Sequence, residues 1–186
     1  IFIRGLDGER LLSDEYFYPL YEAASRLDMP VCVHSATGSF AVHDFFERES
    51  GFNKFKLAVV GSFHSVLFEG IPQRFPKLKL GFIEVSAQWI PYALHDLARR
   101  FQRKGKSLSK DVLRDSRIYV ACQTDDDLPY VLQYSGPDNL VIGSDYGHAD
   151  TASELEALRT LKRSGEVGAH VVDKILGDNP RALYGL

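Results

Sequence analysis

Short apolar runs alternate with longer amphipathic stretches along the chain, and the alternation reads as strand then helix, repeated five times. Ile1-Phe2-Ile3 opens as a strand stub. Ser13 reads as the N-cap of a helix running to about Leu27, with Asp14 and Glu15 in its first turn. Met29-Pro30 stops that helix, and Val31-Cys32-Val33-His34 is a β-branched strand followed by the turn-prone Ser35-Ala36-Thr37-Gly38-Ser39. From Phe40 to Phe75 the spacing predicts two helical pieces divided near Ser50-Gly51. Leu78 to Glu84 is the next strand, and Trp89 to Arg103 the next helix, with Ile90, Leu94, Leu97 and Phe101 on one stripe. Ile118 to Cys122 is a strand. The acidic Asp125 to Asp127 after it suits a helix N-terminus, and that helix ends at Ser135-Gly136-Pro137. Leu140 to Ile142 is the last strand, with helices predicted over Thr151 to Arg163 and Val171 to Leu176 and one further turn from Asp178-Asn179-Pro180.

This order is that of an α/β protein, a parallel sheet with helices packed outside it. A complete (β/α)₈ TIM barrel takes about 250 residues, so if the sheet is a barrel it is an incomplete one, with about three units unaccounted for. The chain starts without Met and inside an apolar run, from which upstream sequence is expected. A doubly wound sheet is the structural competitor, but no glycine-rich phosphate loop follows any strand. A third reading is a natural half-barrel that pairs with a second chain, because an open five-stranded sheet leaves two edges to cover. No repeat of fixed wording and no low-complexity linker divides residues 1–186, which read as one portion of a single barrel domain.

Composition narrows the function classes. A 45% share of apolar residues and a formal charge of −3 describe one soluble globular unit, expected in the cytoplasm. No run approaches the roughly 18 apolar residues of a membrane span, so no membrane partner is expected. Arg99, Arg100, Arg103, Lys104 and Lys106 form a short basic cluster of the kind helix C-termini favour, and no nucleic-acid partner is expected either. Cys32 and Cys122 lie inside apolar strands and read as buried thiols rather than a disulfide framework.

In parallel folds the functional groups gather at the C-terminal ends of the strands. His34 closes one strand, Glu84 the next, Gln123 follows the third, and Asp145 follows the last within Gly143-Ser144-Asp145-Tyr146-Gly147-His148. His34, Glu84 and Asp145 each have a bland reading: a hydrogen-bonded structural histidine, a buried partner for an arginine, and an N-cap for the helix expected near Thr151. Strand parity puts His34 on the face of Cys32 and Glu84 on the face of Phe82 and Leu80. An imidazole with carboxylate oxygens suits zinc or a similar divalent ion. His64 either lines the crevice or caps a buried face, and His148 either meets substrate or stabilises its turn. His43, His95 and His170 read as surface or packing residues, and Trp89 as a packing anchor.

Taken together, Pro30-Val31-Cys32-Val33-His34, Arg74-Phe75-Pro76-Lys77-Leu78-Lys79, Phe82-Ile83-Glu84, Trp89-Ile90-Pro91-Tyr92, Leu140 to Tyr146 with His148 and Asp150, and Asn179 to Gly185 resemble the amidohydrolase-related family. The similar branch is the one holding aminocarboxymuconate-semialdehyde and γ-resorcylate decarboxylases. The resemblance implies a (β/α)₈ barrel of which this chain supplies strands four to eight, His34 as a metal ligand at the end of strand five, and Asp145 at the end of strand eight as a group that binds or faces the metal and handles a proton. It also implies a divalent ion, zinc or manganese, with further ligands from a His-x-His after strand one that these residues do not contain. Decarboxylase members carry histidine at the strand-six position, where this sequence has Glu84.

Two function classes follow. One is a metal-dependent hydrolase or decarboxylase acting on a small cyclic or aromatic carboxylate, with Asp145 exchanging a proton and Glu84, His148 or His64 orienting substrate; residues 1–186 alone are then expected to bind metal poorly and to be inactive. The other is a non-catalytic barrel serving as a binding or oligomerisation module. A small-molecule substrate is expected in the first, and homo-oligomers remain open in both.

Overall fold

The computed structural model describes residues 1–46, 48, 51–148 and 154–186. Asp150 and the expected helix start at Thr151 lie outside them. Five strands, β1 (Phe2–Arg4), β4 (Val31–His34), β5 (Leu80–Phe82), β6 (Ile118–Cys122) and β7 (Leu140–Ile142), form a parallel sheet in the order β1-β4-β5-β6-β7. Their register pairs Cys32 with Gly81, Gly81 with Tyr119, and Ala121 with Val141. Two short strands between β1 and β4, β2 (Leu6–Asp7) and β3 (Arg10–Leu11), make an antiparallel hairpin the periodicity did not anticipate. Gly8 turns that hairpin at φ 58.

The two faces of the sheet differ. Val31, Val33, Leu80, Phe82, Ile118, Val120 and Leu140 point outward and are essentially fully buried under the helices. The other face carries Cys32 and Gly81, against which Leu183 packs, and the small Ala121 and Gly143, which line a concavity. Phe2, on the edge strand β1, lies on this face and is 65% exposed.

The helices are α1 (Tyr18–Arg26), α2 (Phe40–Phe45), α3 (Ala58–Phe68), α4 (Ile71–Arg74), α5 (Ile90–Arg103), α6 (Val112–Asp115), α7 (Leu128–Ser135), α8 (Ala157–Ser164), α9 (Ala169–Asp173) and α10 (Asn179–Tyr184). Several bounds correct the expectation. Asp14, not Ser13, is the first cap: its carboxylate accepts from the Tyr16 amide at 2.8 Å, and a 3₁₀ turn, Glu15–Phe17, precedes α1. The long stretch after β4 holds α2, a wide π-helical turn at Phe52–Leu57, α3 and α4, because Gly70 at φ 77 breaks it again. α8 begins at Ala157, and α9 runs through a second π-helical turn, Lys174–Asp178, directly into α10.

α5 carries the clearest amphipathic signal: Pro91 sits in its first turn, Ile90, Ala93, Leu94 and Leu97 are buried, and Arg100 and Arg103 close it where the helix dipole favours cations. Trp89 just before it packs edge-on against Phe63 of α3, ring centroids 4.8 Å apart, and donates its indole N–H to the Ser86 carbonyl at 2.7 Å. It is the packing anchor expected. Among the described residues no helix is long and apolar enough to cross a membrane.

Candidate active site

A cleft of about 280 Å³ opens at the C-terminal ends of the strands, lined by His34, Glu84, Gln123 and Asp145 over a floor that includes Ala121 and Gly143. His34 arrives by simple alternation from β4, two residues beyond Cys32. Glu84 does not. Alternation would place it with Leu80 and Phe82, whose side chains are buried against the helices. The strand instead ends at Phe82, two residues short of the predicted bound, and Glu84 adopts φ 66, which swings its carboxylate into the cleft. Asp145 is likewise left-handed, at φ 49. Left-handed residues with a Cβ persist only where surrounding contacts hold them, and such strain gathers at working sites.

The polar groups form two hydrogen-bonded sets, Arg4 with His34 and Glu84, and Asp145 with His148. His34 Nε2 lies 2.5 Å from Glu84 Oε2, with the two side chains 27% and 12% exposed. On the other side of the ring, Nδ1 is 2.7 Å from Arg4 Nη1 and 3.1 Å from the Ser35 carbonyl oxygen. A guanidinium only donates, so Nδ1 accepts from Arg4, and Nε2 carries the proton given to Glu84. In the other tautomer Nδ1 donates to the Ser35 carbonyl and Nε2 is bare. Asp145 Oδ1 accepts from His148 Nδ1 at 2.7 Å. Its other oxygen, Oδ2, is buried and has no hydrogen-bond partner within the described residues.

An orphaned buried carboxylate oxygen is costly unless a cation or donor meets it. One ligand atom each from Glu84, Asp145 and His148 lies within 4.8 Å of the others, and His34 touches Glu84. Carboxylate oxygens with imidazole nitrogen are a donor set that fits a divalent ion. Asp145 caps no helix among the described residues, the next of which starts at Ala157 with Glu156 at its cap position; the start expected near Thr151 lies outside them.

His64 is not brought to this cleft. It faces outward from α3 toward α5, with Nε2 2.9 Å from Asp96 Oδ2, and Arg100 Nε approaches the same oxygen at 2.5 Å. These bonds hold the Asp96 carboxyl below its ordinary range, Arg100 contributing most. His43, His95 and His170 are exposed, as expected. Both cysteines are buried and free. Burial pushes the Cys122 thiol up to about 12, with the Asp126 carboxylate adding to it, and raises Cys32 as well.

Three contributors were not singled out from the sequence. Arg4, paired with His34 across β1 and β4, is legible as the polar end of the opening strand, two residues beyond Phe2 on the same face. Tyr184 of α10 also lines the cleft, its hydroxyl raised by burial and by its bond to Cys32. Asp126, read as one of three helix-start charges, is 5% exposed and binds both cleft loops; only Asp127 caps α7, accepting from the Tyr130 amide at 3.1 Å.

The amidohydrolase family model matches residues 4–186, nearly the whole chain. The chain belongs to the amidohydrolase family. Among solved structures, a 5-carboxyvanillate decarboxylase from Novosphingobium aromaticivorans, complexed with manganese and 4-hydroxy-3-methoxy-5-nitrobenzoic acid, superposes with a TM-score of 0.79 at 20% identity, covering 100% of this chain and 56% of that one. An amidohydrolase from Mycobacterium avium subsp. paratuberculosis gives 0.76 at 22% identity, over 100% of this chain and 50% of that one. A dihydroxybenzoic acid decarboxylase from Polaromonas, with bound manganese and the inhibitor 2-nitroresorcinol, gives 0.67 at 14% identity, over 94% and 55%. These likenesses assign the five-stranded sheet to part of a (β/α)₈ barrel. The chain spans little more than half the length of the structures it matches.

Proposed function

We propose that this barrel, with its other strands, is a divalent-metal-dependent enzyme acting on a small cyclic or aromatic carboxylate, and that hydrolysis is its reaction. The observation that carries the reading is the convergence of His34, Glu84, Asp145 and His148 on one cleft, with Asp145 Oδ2 buried and unpartnered among the described residues. His34, in the tautomer whose Nδ1 donates to the Ser35 carbonyl and leaves Nε2 bare, and Asp145 would hold the ion, with Glu84 and His148 within reach of it. A divalent ion supplies a water acidified to roughly pKa 7 and a polarised substrate oxygen. Asp145 takes the proton of the attacking water, helped by the imidazole of His148 at 2.7 Å. Glu84, bonded to His34, orients it and the bound substrate.

Glu84 favours hydrolysis over decarboxylation on electrostatic grounds. A decarboxylase holds the departing carboxylate against its catalytic groups, and a second fixed carboxylate at that place repels it. In a hydrolase the same anion serves as base or orienting acceptor. The manganese and aromatic acid bound by the decarboxylase neighbour support the metal and substrate class, with zinc and manganese both suited to the donor set.

The test uses the longest native chain containing these residues, loaded with Mn²⁺ or Zn²⁺. Aromatic lactones and cyclic amides are assayed for ring opening, and 5-carboxyvanillate and dihydroxybenzoates for release of CO₂. Ring opening without CO₂ release is the expected result. CO₂ release alone would replace hydrolysis by decarboxylation, and neither activity with metal bound would favour a binding module.

A further inference from the structure

Glu84 occupies the cleft only because the turn after β5 is held in an unfavourable shape. Glu84 and Ser86 both have left-handed backbones, φ 66 and φ 63, which side chains with a Cβ avoid, while Val85 between them and Ala87 after them are buried. Two such residues so close together require an external restraint. It comes from the neighbouring loop, forty positions along the chain: one Asp126 oxygen accepts from the Ser86 hydroxyl, and the other accepts from the Ala87 amide at 2.9 Å and the Gln123 amide at 2.8 Å. The Ser86 hydroxyl oxygen in turn accepts from the Gln88 amide at 3.0 Å, and Gln88 Oε1 from the Asp127 amide at 2.8 Å. Asp126 itself does not line the cleft and is 5% exposed.

We propose that Asp126 is a positioning residue of this site: acting through Ser86, it fixes the turn that carries Glu84 to His34 and Asp145. A carboxylate is suited to the task because it is an acceptor on both oxygens. An amide in its place turns an N–H₂ toward Ser86, whose hydroxyl must then accept instead of donate, and the two charge-assisted ties become weaker neutral ones. The inference rests on the reading of Glu84 as a working residue of the metal cleft, and the test separates the two.

Mn²⁺ binding is measured by calorimetry on the longest native chain for Asp126→Asn, Glu84→Gln, the double variant and Ser86→Ala, each checked for folding by circular dichroism. Groups that orient metal ligands typically contribute about 10- to 100-fold in affinity, and a loss of about tenfold is expected for Asp126→Asn, with a smaller loss for Ser86→Ala. In the Glu84→Gln background Asp126→Asn should change affinity by less than about twofold, because the two act through one group. A full additional tenfold loss in that background would overturn the proposal and leave Asp126 a general structural anchor. If Glu84→Gln leaves Mn²⁺ affinity unchanged, it is the role of Glu84 at the metal that fails. A crystal structure of Asp126→Asn then decides the positioning: Glu84 displaced from His34 sustains it, and Glu84 still bonded to His34 with Ser86 left-handed overturns it. Should Asp126→Asn not fold, Ser86→Ala answers the same two questions, with the same outcomes counting for and against.

Discussion

In the proposed reaction Asp145 is the residue on which metal binding and proton exchange meet, and the two roles separate by substitution. Asp145→Asn keeps the shape and one oxygen but cannot take a proton, and general base action is worth about 10² to 10⁴ in rate. In the longest native chain, turnover should fall by that order with most of the metal retained, whereas His34→Ala should lose metal, as read by elemental analysis after dialysis. Full turnover by Asp145→Asn with metal bound would remove the proton-transfer role. A second residue-scale expectation concerns Cys122, whose thiol is pushed from an ordinary 9.0 to about 12 by burial. Its folded pKa lies above its unfolded one, so the stability it contributes is complete below pH 9 and is lost as pH rises toward 12. Denaturation followed between pH 8 and 11 should show an alkaline decline that Cys122→Ala makes shallower, and native protein should resist iodoacetamide at pH 8. Rapid labelling of the native Cys122 thiol would contradict its burial.

At the scale of elements, the sheet and its helices were legible because their periods are local properties of the chain. The strands β4, β6 and β7 end where the apolar runs end, and α5 follows its stripe from Ile90 to Leu97. The misjudged bounds share a cause. Ser13 and Asp14 are both good caps, and the choice rests on which side chain reaches an amide, here Asp14 to Tyr16. The hairpin β2–β3 was missed because two-residue strands carry too few positions to show alternation. Its approach to the helices is nonetheless tight. Gly5, between β1 and β2, lies against the first turn of α3, and a Cβ there would fall inside van der Waals contact of the Ala58 carbonyl and 2.7 Å from the Val59 amide nitrogen. Backbone cannot yield as a side-chain tip can, so Gly5→Ala should cost about 2–3 kcal/mol and lower Tm by roughly 5–10 °C. An unchanged thermal midpoint would mean that this junction relaxes freely.

For the whole molecule, the concave face and the cleft belong to a barrel of which these residues supply five strands. His34 and Asp145 alone are a sparse ligand set for a catalytic ion, which ordinarily has three protein ligands and an open position. Residues 1–186 expressed alone are therefore expected to bind Mn²⁺ at least about a hundredfold more weakly than a native chain that completes the barrel, and EDTA should strip that chain to the same low activity. Equal affinities would show that Glu84 and His148 complete the site without help. What the sequence by itself determined is the α/β order and the strand-end positions of His34 and Asp145, since each depends on residues a few places apart. Only the tertiary structure decided that His64 turns outward to Asp96, that Arg4 reaches the ring of His34, and that Asp126 ties down the turn bearing Glu84. Those outcomes rest on hydrogen bonds between residues 30 to 40 positions apart, and no local period records a contact that exists only once the strands lie side by side.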